Sequence, residues 1–171
     1  MDAIVYSSNT GFTEQYAKLL SQKTGLPAYP LKEAQEKLAA GSHILYMGWL
    51  MAGTVNGYKS AAKRFDVRAI CGVGMGATGS QVADVRKANK LDDSMPVFTL
   101  QGGFDLKKLH GVYKLMMTVM KNTAGKSLAK KENKTPEEET MRGLMMNGGS
   151  CVSEANLSDV LSWVDSQKSA Q

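Results

Sequence analysis

The sequence predicts an α/β protein built on a parallel sheet with helices on both faces. Two patterns carry the prediction. Five short apolar segments, beginning near residues 4, 26, 43, 67 and 96, alternate with stretches whose apolar residues recur at helical spacing. Glycine-rich loops follow the first, third and fourth of these segments. A chain of 171 residues is one domain by its length, with room for a substantial core. No internal repeat is visible.

Ile4, Val5 and Tyr6 form the first strand. A loop of Ser7, Ser8, Asn9, Thr10, Gly11, Phe12 and Thr13 follows, and then a helix with Glu14 in its first turn. Tyr16, Ala17, Leu19 and Leu20 give that helix its apolar face, and Gly25 is placed to stop it. Residues 26–31 are extended, and Pro27 and Pro30 suit them to a sheet edge, where a missing N–H is tolerated. Residues 32–40 form a short helix or turn closed by Gly41. Residues 43–48 are a continuous apolar run, as expected of a strand covered on both faces. Residues 49–57 are expected as a loop, 58–64 as a helix and 67–73 as a strand. Gly74, Met75, Gly76, Ala77, Thr78 and Gly79 make the next loop. Residues 81–89 are a helix with Val82, Val85 and Ala88 facing inward. Residues 96–100 are the last strand, and 101–105 its exit. Residues 109–122 are helical, with Val112, Leu115, Met116, Val119 and Met120 on one side. Residues 124–136 are expected as a polar, lysine-rich mobile loop, and 137–145 as a short helix that Asn147, Gly148 and Gly149 break. A final helix from Asn156 turns Val160, Leu161 and Val164 inward.

Composition narrows the function classes. The chain is 43% hydrophobic and 22% charged, ordinary for a globular protein. No apolar run is long enough to span a bilayer, and no signal peptide precedes the first strand. Cys71 and Cys151 make neither a CxxC nor a metal-ligand spacing, so free thiols in the cytoplasm are expected. The net charge of +5 is uneven. Between residues 106 and 136 stand eight lysines and a single acid, Glu132. The rest of the chain is close to neutral.

The loop after the first strand suits a phosphate. Backbone N–H groups at a helix start point into it, the helix dipole adds partial positive charge, and its hydroxyls donate. Gly11 removes a Cβ where a ligand comes close. No Lys or Arg lies between residues 7 and 13, which fits neutral donors around one phosphate monoester. The competing reading is an ordinary capped helix whose Ser or Thr satisfies its own backbone.

Ser8-Asn9-Thr10-Gly11-Phe12-Thr13 resembles the flavodoxin phosphate pattern, [Ser/Thr]-x-Thr-Gly-x-Thr, directly after a first strand. Two other stretches, Gly48-Trp49-Leu50-Met51-Ala52-Gly53 and Gln101-Gly102-Gly103-Phe104-Asp105, are similar to a flavodoxin-domain branch that includes the flavodoxin-type protoporphyrinogen oxidases. The resemblance implies a flavodoxin-like three-layer sandwich with a five-stranded sheet in the order 2-1-3-4-5. It also implies that FMN is bound where three loops converge at the carboxyl edge. Ser7, Ser8, Asn9, Thr10, Gly11, Phe12 and Thr13 would hold its phosphate. Trp49, Leu50, Met51, Ala52 and Gly53 would flank the ring. Gly74, Met75, Gly76, Ala77 and Gly79 would meet its pyrimidine end. Trp49 is either a ring-stacking indole or a core anchor. The Ala52-Gly53 peptide is either a partner of the flavin N5 or a simple turn.

Two activities follow from the resemblance. One is a carrier that passes electrons to a redox protein partner. The other is an FMN-dependent oxidoreductase of the protoporphyrinogen oxidase or quinone reductase type, acting on a small molecule such as a quinone. A flavin-free interaction domain is the third reading. The basic segment at 106–136 suits an acidic partner or an anionic membrane surface. No nucleic-acid module accompanies it, so nucleic acid is not expected. Its methionine-rich helix fits core packing or an adaptable docking face. The GxGxxG formed by Gly74, Gly76 and Gly79 is not a dinucleotide fingerprint here, because the first strand–helix turn already carries the phosphate loop. Gly125-Lys126-Ser127 ends like a P-loop but has Met120 where the motif needs glycine. His43 and His110 stand alone, and no carboxylate pair, triad or metal cluster is visible. Flavin chemistry requires none, because the cofactor carries the redox step.

Overall fold

The computed structural model describes residues 1–127 and 131–169. The sheet opens with strand β1 (Ala3–Ser7), whose first four residues are buried. On one side β1 pairs in parallel with β2 (Ala28–Pro30), and on the other with β3 (His43–Met51). Beyond β3 come β5 (Asp66–Gly74) and β6 (Val97–Gln101), also parallel. The path β2-β1-β3-β5-β6 is the expected 2-1-3-4-5 order. A short added strand, β4 (Thr54–Val55), pairs antiparallel with β3 off this path.

Side chains alternate between the faces of the sheet, as the pleat requires. On one face Ile4, Tyr6, Leu45, Met47, Ala69 and Cys71 pack against Tyr16 and Leu20 of helix α1 (Phe12–Thr24). Val160 and Val164 of the last helix join the same layer. On the other face Val5, Ile44, Tyr46 and Ile70 pack against Ala34 of α2 (Leu31–Lys37), Ala61 of α3 (Tyr58–Ala62) and Val85 of α4 (Val82–Asn89). This is a flavodoxin-like three-layer sandwich. Gly25 ends α1 in the left-handed conformation, with φ of 76°. On α4 the exposed Ala88 is not the inward residue; Asn89 is buried in its place.

Past β6 the chain departs from a simple alternation. A two-residue strand β7 (Gly103–Phe104) pairs with β8 (Gly149–Ser150). Between them lie α5 (Gly111–Met120), a π-helical turn (Lys121–Gly125) and α6 (Pro136–Asn147). Phe104, Leu109 and Leu144 form a small separate core, with Met75, Tyr113, Met117 and Cys151 against it. Thr135 and Glu138 make a reciprocal capping box that starts α6. A single 3₁₀ turn (Glu154–Leu157) then leads into α7 (Ser158–Ser169). Tyr16 ties this end of the chain down: its hydroxyl reaches the Gln101 carbonyl at 2.5 Å and receives the Asn156 amide at 2.7 Å.

Three expectations are corrected here. The third strand does not stop at Gly48; it runs on to Met51, and the expected loop is a hairpin with β4. The stretch after α5 was expected as coil from residue 124, yet the helical backbone continues through residue 127. The mobility expected of residues 124–136 rests in part on residues 128–130, which lie outside the described residues. On α5, Val112, Leu115, Met116 and Val119 face solvent, not a core. The helix is apolar on two sides, and its neighbours contact the side carrying Tyr113 and Met117. Periodicity alone does not choose between two apolar sides.

Candidate functional site

The sheet brings the three glycine-rich loops to one edge. Ser7 is in register with Gly48, Gly48 with Gly72, and Trp49 with Val73. The ends of β1, β3 and β5 therefore lie side by side at the carboxyl edge.

The loop after β1 closes on itself. The Gly11 N–H donates to Ser8 Oγ at 3.1 Å, and Gly11 takes a left-handed φ of 93° at the helix start. No side chain caps α1. Ser8 thus satisfies one backbone donor at the helix start, as the capped-helix reading expects, while the N-cap position itself, a glycine, supplies no side-chain cap. Ser8 accepts from Gly11, so its own proton is free for another acceptor. Asn9 is exposed and Thr10 half-buried. A Cβ on Gly11 would meet nothing nearer than Gln15 Nε2 at 4.0 Å, which leaves the loop mouth open. Phe12 turns away, and its ring packs where a Cβ on Gly103 would come within 2.7 Å of Cζ. Thr13 is 1% exposed and offers a ligand almost no surface.

Ser7 is occupied from below. Tyr46 Oη lies 2.8 Å from Ser7 Oγ and 2.7 Å from the Asn56 carbonyl. The carbonyl only accepts, so the single Tyr46 proton goes to it and Ser7 donates to Tyr46. The Ser7 proton is then spent inside the protein, so the donors this loop presents outward lie further along it. Burial pushes the Tyr46 phenol up to about 12, against a smaller opposing effect of the Ser7 hydrogen bond. Gly57, at φ of 83°, completes this junction: a Cβ there would fall 2.0 Å from Tyr46 Oη and 2.5 Å from Ser7 Oγ. Neither Tyr46 nor Gly57 is marked by sequence pattern. Only the pairing of Val5 with Tyr46 across β1 and β3 puts the phenol beneath Ser7.

The second loop is a tight hairpin. Leu50 pairs with Val55 and Met51 with Thr54, leaving Ala52 and Gly53 as a two-residue turn with φ of 48° and 77°. Positive φ at both positions is the type I′ turn that matches strand twist. The buried Asn89 holds it: its Nδ2 donates to the Gly53 carbonyl at 2.9 Å, and its Oδ1 accepts from Val55 N–H at 3.1 Å. Leu50 lies over Gly72, where a Cβ would approach its Cδ2 to 2.6 Å. Met51 is half-buried and Ala52 exposed. Trp49 meets Tyr113 of α5 edge to face, with ring centres 5.2 Å apart at 88°. The insertion after β7 therefore reaches the same edge, a partnership the sequence does not signal.

The third loop is fastened to β6. Gly102 N–H donates to the Gly74 carbonyl at 2.7 Å, Gln101 Nε2 to the Met75 carbonyl at 3.2 Å, and Gly79 N–H to the Thr99 carbonyl at 2.9 Å. The Gln81 side chain fills the space beside Gly76, 2.6 Å from where a Cβ would stand. Ala77 is half-buried at its tip.

His43 is half-exposed beside Asp66, 3.4 Å away, at the far edge of the sheet. His110 precedes α5 and is exposed. Cys71 is buried, and burial pushes its thiol well above the usual range. Among the described residues no group of His, Cys, Asp or Glu is placed to hold a metal ion. No helix among them is long and apolar enough to cross a membrane.

The loop after β1 fits the phosphate of FMN: an uncapped helix start, an open glycine and free hydroxyl and amide donors. Trp49, the 52–53 turn and the 74–77 loop lie at the same edge, with Leu50 over Gly72 and Gln81 beside Gly76. No family model matches this chain, and no curated protein matches it.

Proposed function

We propose that this chain is an FMN-binding, flavodoxin-like redox protein of the cytoplasm that passes electrons to a protein partner. The observation that carries the reading is the uncapped start of α1 behind Gly11, opening onto the hydroxyl and amide groups of Ser8, Asn9 and Thr10. Trp49 would flank the ring, and the 52–53 turn and the 74–77 loop would bound it. Bound FMN would supply the one- and two-electron chemistry. The residues of this chain bind it, orient it and limit the water that reaches it.

Titration of the purified protein against FMN, followed by quenching of flavin fluorescence, tests this. The wild type should bind with 1:1 stoichiometry, and Thr10→Glu, which sets a carboxylate against the phosphate, should abolish binding. Equal affinity in the two proteins refutes the loop assignment. No binding to either leaves a flavin-free interaction domain.

The contact of Tyr113 with Trp49 favours a second reading. It brings the α5–α6 insertion to the ring end, where a substrate of an oxidoreductase of the protoporphyrinogen oxidase or quinone reductase type would have to enter. Anaerobic reduction of the loaded protein separates the two: two resolved steps support the carrier, and one step supports the oxidoreductase.

A further inference from the structure

Helix α5 carries its most apolar side outward. Val112, Leu115, Met116 and Val119 are 61%, 65%, 49% and 54% exposed. Their spacing of three and four residues places them in one stripe along two turns. Single exposed apolar residues are common on protein surfaces, but four in one stripe mark a contact surface. The helix is not loose. Tyr113 and Met117 pack inward with Phe104, Leu109 and Leu144, and Lys121 Nζ donates to the Met146 carbonyl at 2.9 Å. The stripe is thus held in place and presented.

The charge around the stripe selects its occupant. Lys107 and Lys108 precede it, Lys126 follows it, and Lys114 and Lys121 lie on the polar side of the same helical rod. No acid occurs between residues 106 and 131. Three of the acids that flank this stretch are engaged: Asp105 faces Lys108, Glu138 pairs with Lys131 and Glu139 with Arg142. Two copies of this face would set lysine against lysine. The patch, four side chains over two turns, is also far smaller than the roughly 800 Å² per partner of a stable interface. An apolar stripe on a helix with lysines and no acids matches a lipid surface with anionic headgroups.

We propose that α5 is an interfacial helix that seats the protein on an anionic membrane surface. Val112, Leu115, Met116 and Val119 enter the acyl boundary, and Lys107, Lys108, Lys114 and Lys126 are attracted to the headgroups. The proposal goes beyond the flavin reading and does not rest on it.

Co-sedimentation of the full chain with vesicles tests it. One set is phosphatidylcholine alone, and the other carries one quarter phosphatidylserine. The protein should pellet with the anionic vesicles, less with the neutral ones, and less again as salt rises. Leu115→Glu should lower the partition coefficient by about tenfold or more, the loss expected for one buried leucine. Because Leu115 is exposed, the fold survives, which an unchanged circular dichroism spectrum verifies. Lys107→Glu with Lys114→Glu should remove the preference for phosphatidylserine. Absence of binding to anionic vesicles at low salt overturns the proposal. So does binding that Leu115→Glu leaves unchanged. A dimer in light scattering that Leu115→Glu dissociates, with no vesicle binding, would assign the stripe to a second copy and equally overturn it.

Discussion

Replacing Tyr46 with Phe removes one oxygen and keeps the ring, so it measures what the junction beneath the loop after β1 is worth. The side chain is fully buried, and its hydroxyl joins Ser7 Oγ at 2.8 Å to the Asn56 carbonyl at 2.7 Å. At about 1 kcal/mol net for each neutral hydrogen bond, Tyr46→Phe should destabilise the fold by about 2 kcal/mol. With a urea dependence of about 2 kcal/mol per molar, the unfolding midpoint should fall by about 1 M. The substitution also has a signature in alkali. In the folded chain the phenol titrates near 12, against an ordinary value of 10.0 when unfolded. A raised folded value means that the unfolded chain ionises first as pH rises. The wild type should therefore lose roughly 3 kcal/mol between about pH 10 and 12 through this residue alone. Cys71, also raised by burial, starts a similar loss from about pH 9. Tyr46→Phe keeps the Cys71 contribution and lacks its own.

The assay is urea unfolding of the two proteins at pH 7 and at several values up to 11. The expected result is a gap in stability that is widest at pH 7 and narrows as pH rises. A constant gap would refute the assignment of the alkaline loss to Tyr46. No gap at pH 7 would refute the junction itself. FMN titration of the same variant adds a third readout. The phenol fixes Ser7 and the 56–57 backbone relative to each other, so affinity should fall with stability. Full stability loss with unchanged affinity would mean that the phosphate loop is set by Ser8 and Gly11 without help from below.

Three further outcomes follow from the same edge of the sheet. Ala52 sits at φ of 48° in the hairpin turn; Ala52→Gly should relieve about 1–2 kcal/mol of left-handed strain against about 0.5–1 kcal/mol of glycine entropy, and calorimetry should show the melting temperature rise by a degree or more. Asn89→Ala leaves the Val55 N–H and the Gly53 carbonyl without their buried partner; a loss of about 3 kcal/mol in urea unfolding is expected, with faster amide exchange at Val55. A double-mutant cycle of Trp49→Ala and Tyr113→Ala should return a coupling of about 0.5–1.5 kcal/mol, and a value of zero would detach α5 from the candidate site.

The sheet was legible because strands covered on both faces are written as apolar runs and because the helices between them repeat at their own period. The loop after β1 was legible for a different reason: its hydroxyl, amide and glycine residues fall between a strand and a helix with no other role to fill. What stayed hidden depends on contacts between distant segments. The Asn-Gly pair of the 49–57 stretch, Asn56-Gly57, is not where the two-residue turn falls; the turn is made by Ala52-Gly53, which Asn89, far along the chain, grips. Tyr46 looks like any strand residue until β1 and β3 are in register. On α5, two apolar sides competed for one core, and the bulk of Tyr113 and Met117 went inward while Val112, Leu115, Met116 and Val119 did not.

The glycines of the sheet edge show why the phosphate end of the site is the firmer part of the flavin reading. Several of them make room for protein. A Cβ on Gly48 would stand 2.6 Å from the Asn56 carbonyl and from Val55 Cγ1, because β4 folds back across it. Gly72 lies under Leu50, Gly102 beside Val73, and Gly76 beside Gln81. These positions are glycine because neighbouring segments cross them closely, whether or not a ring is ever bound. Gly11 and Gly79 are different: both have φ above 80°, and a Cβ on either would meet almost nothing. Gly11 stands at a helix start with no side-chain cap, its own N–H taken by Ser8 Oγ. A planar group at the ring end must therefore share its space with Leu50, Trp49 and Tyr113, and its fit is set by how the hairpin and α5 are held. The phosphate end needs no such adjustment, so substitutions at Thr10 should act on binding itself. Those at Trp49 and Tyr113 should act on what the bound ring can exchange electrons with.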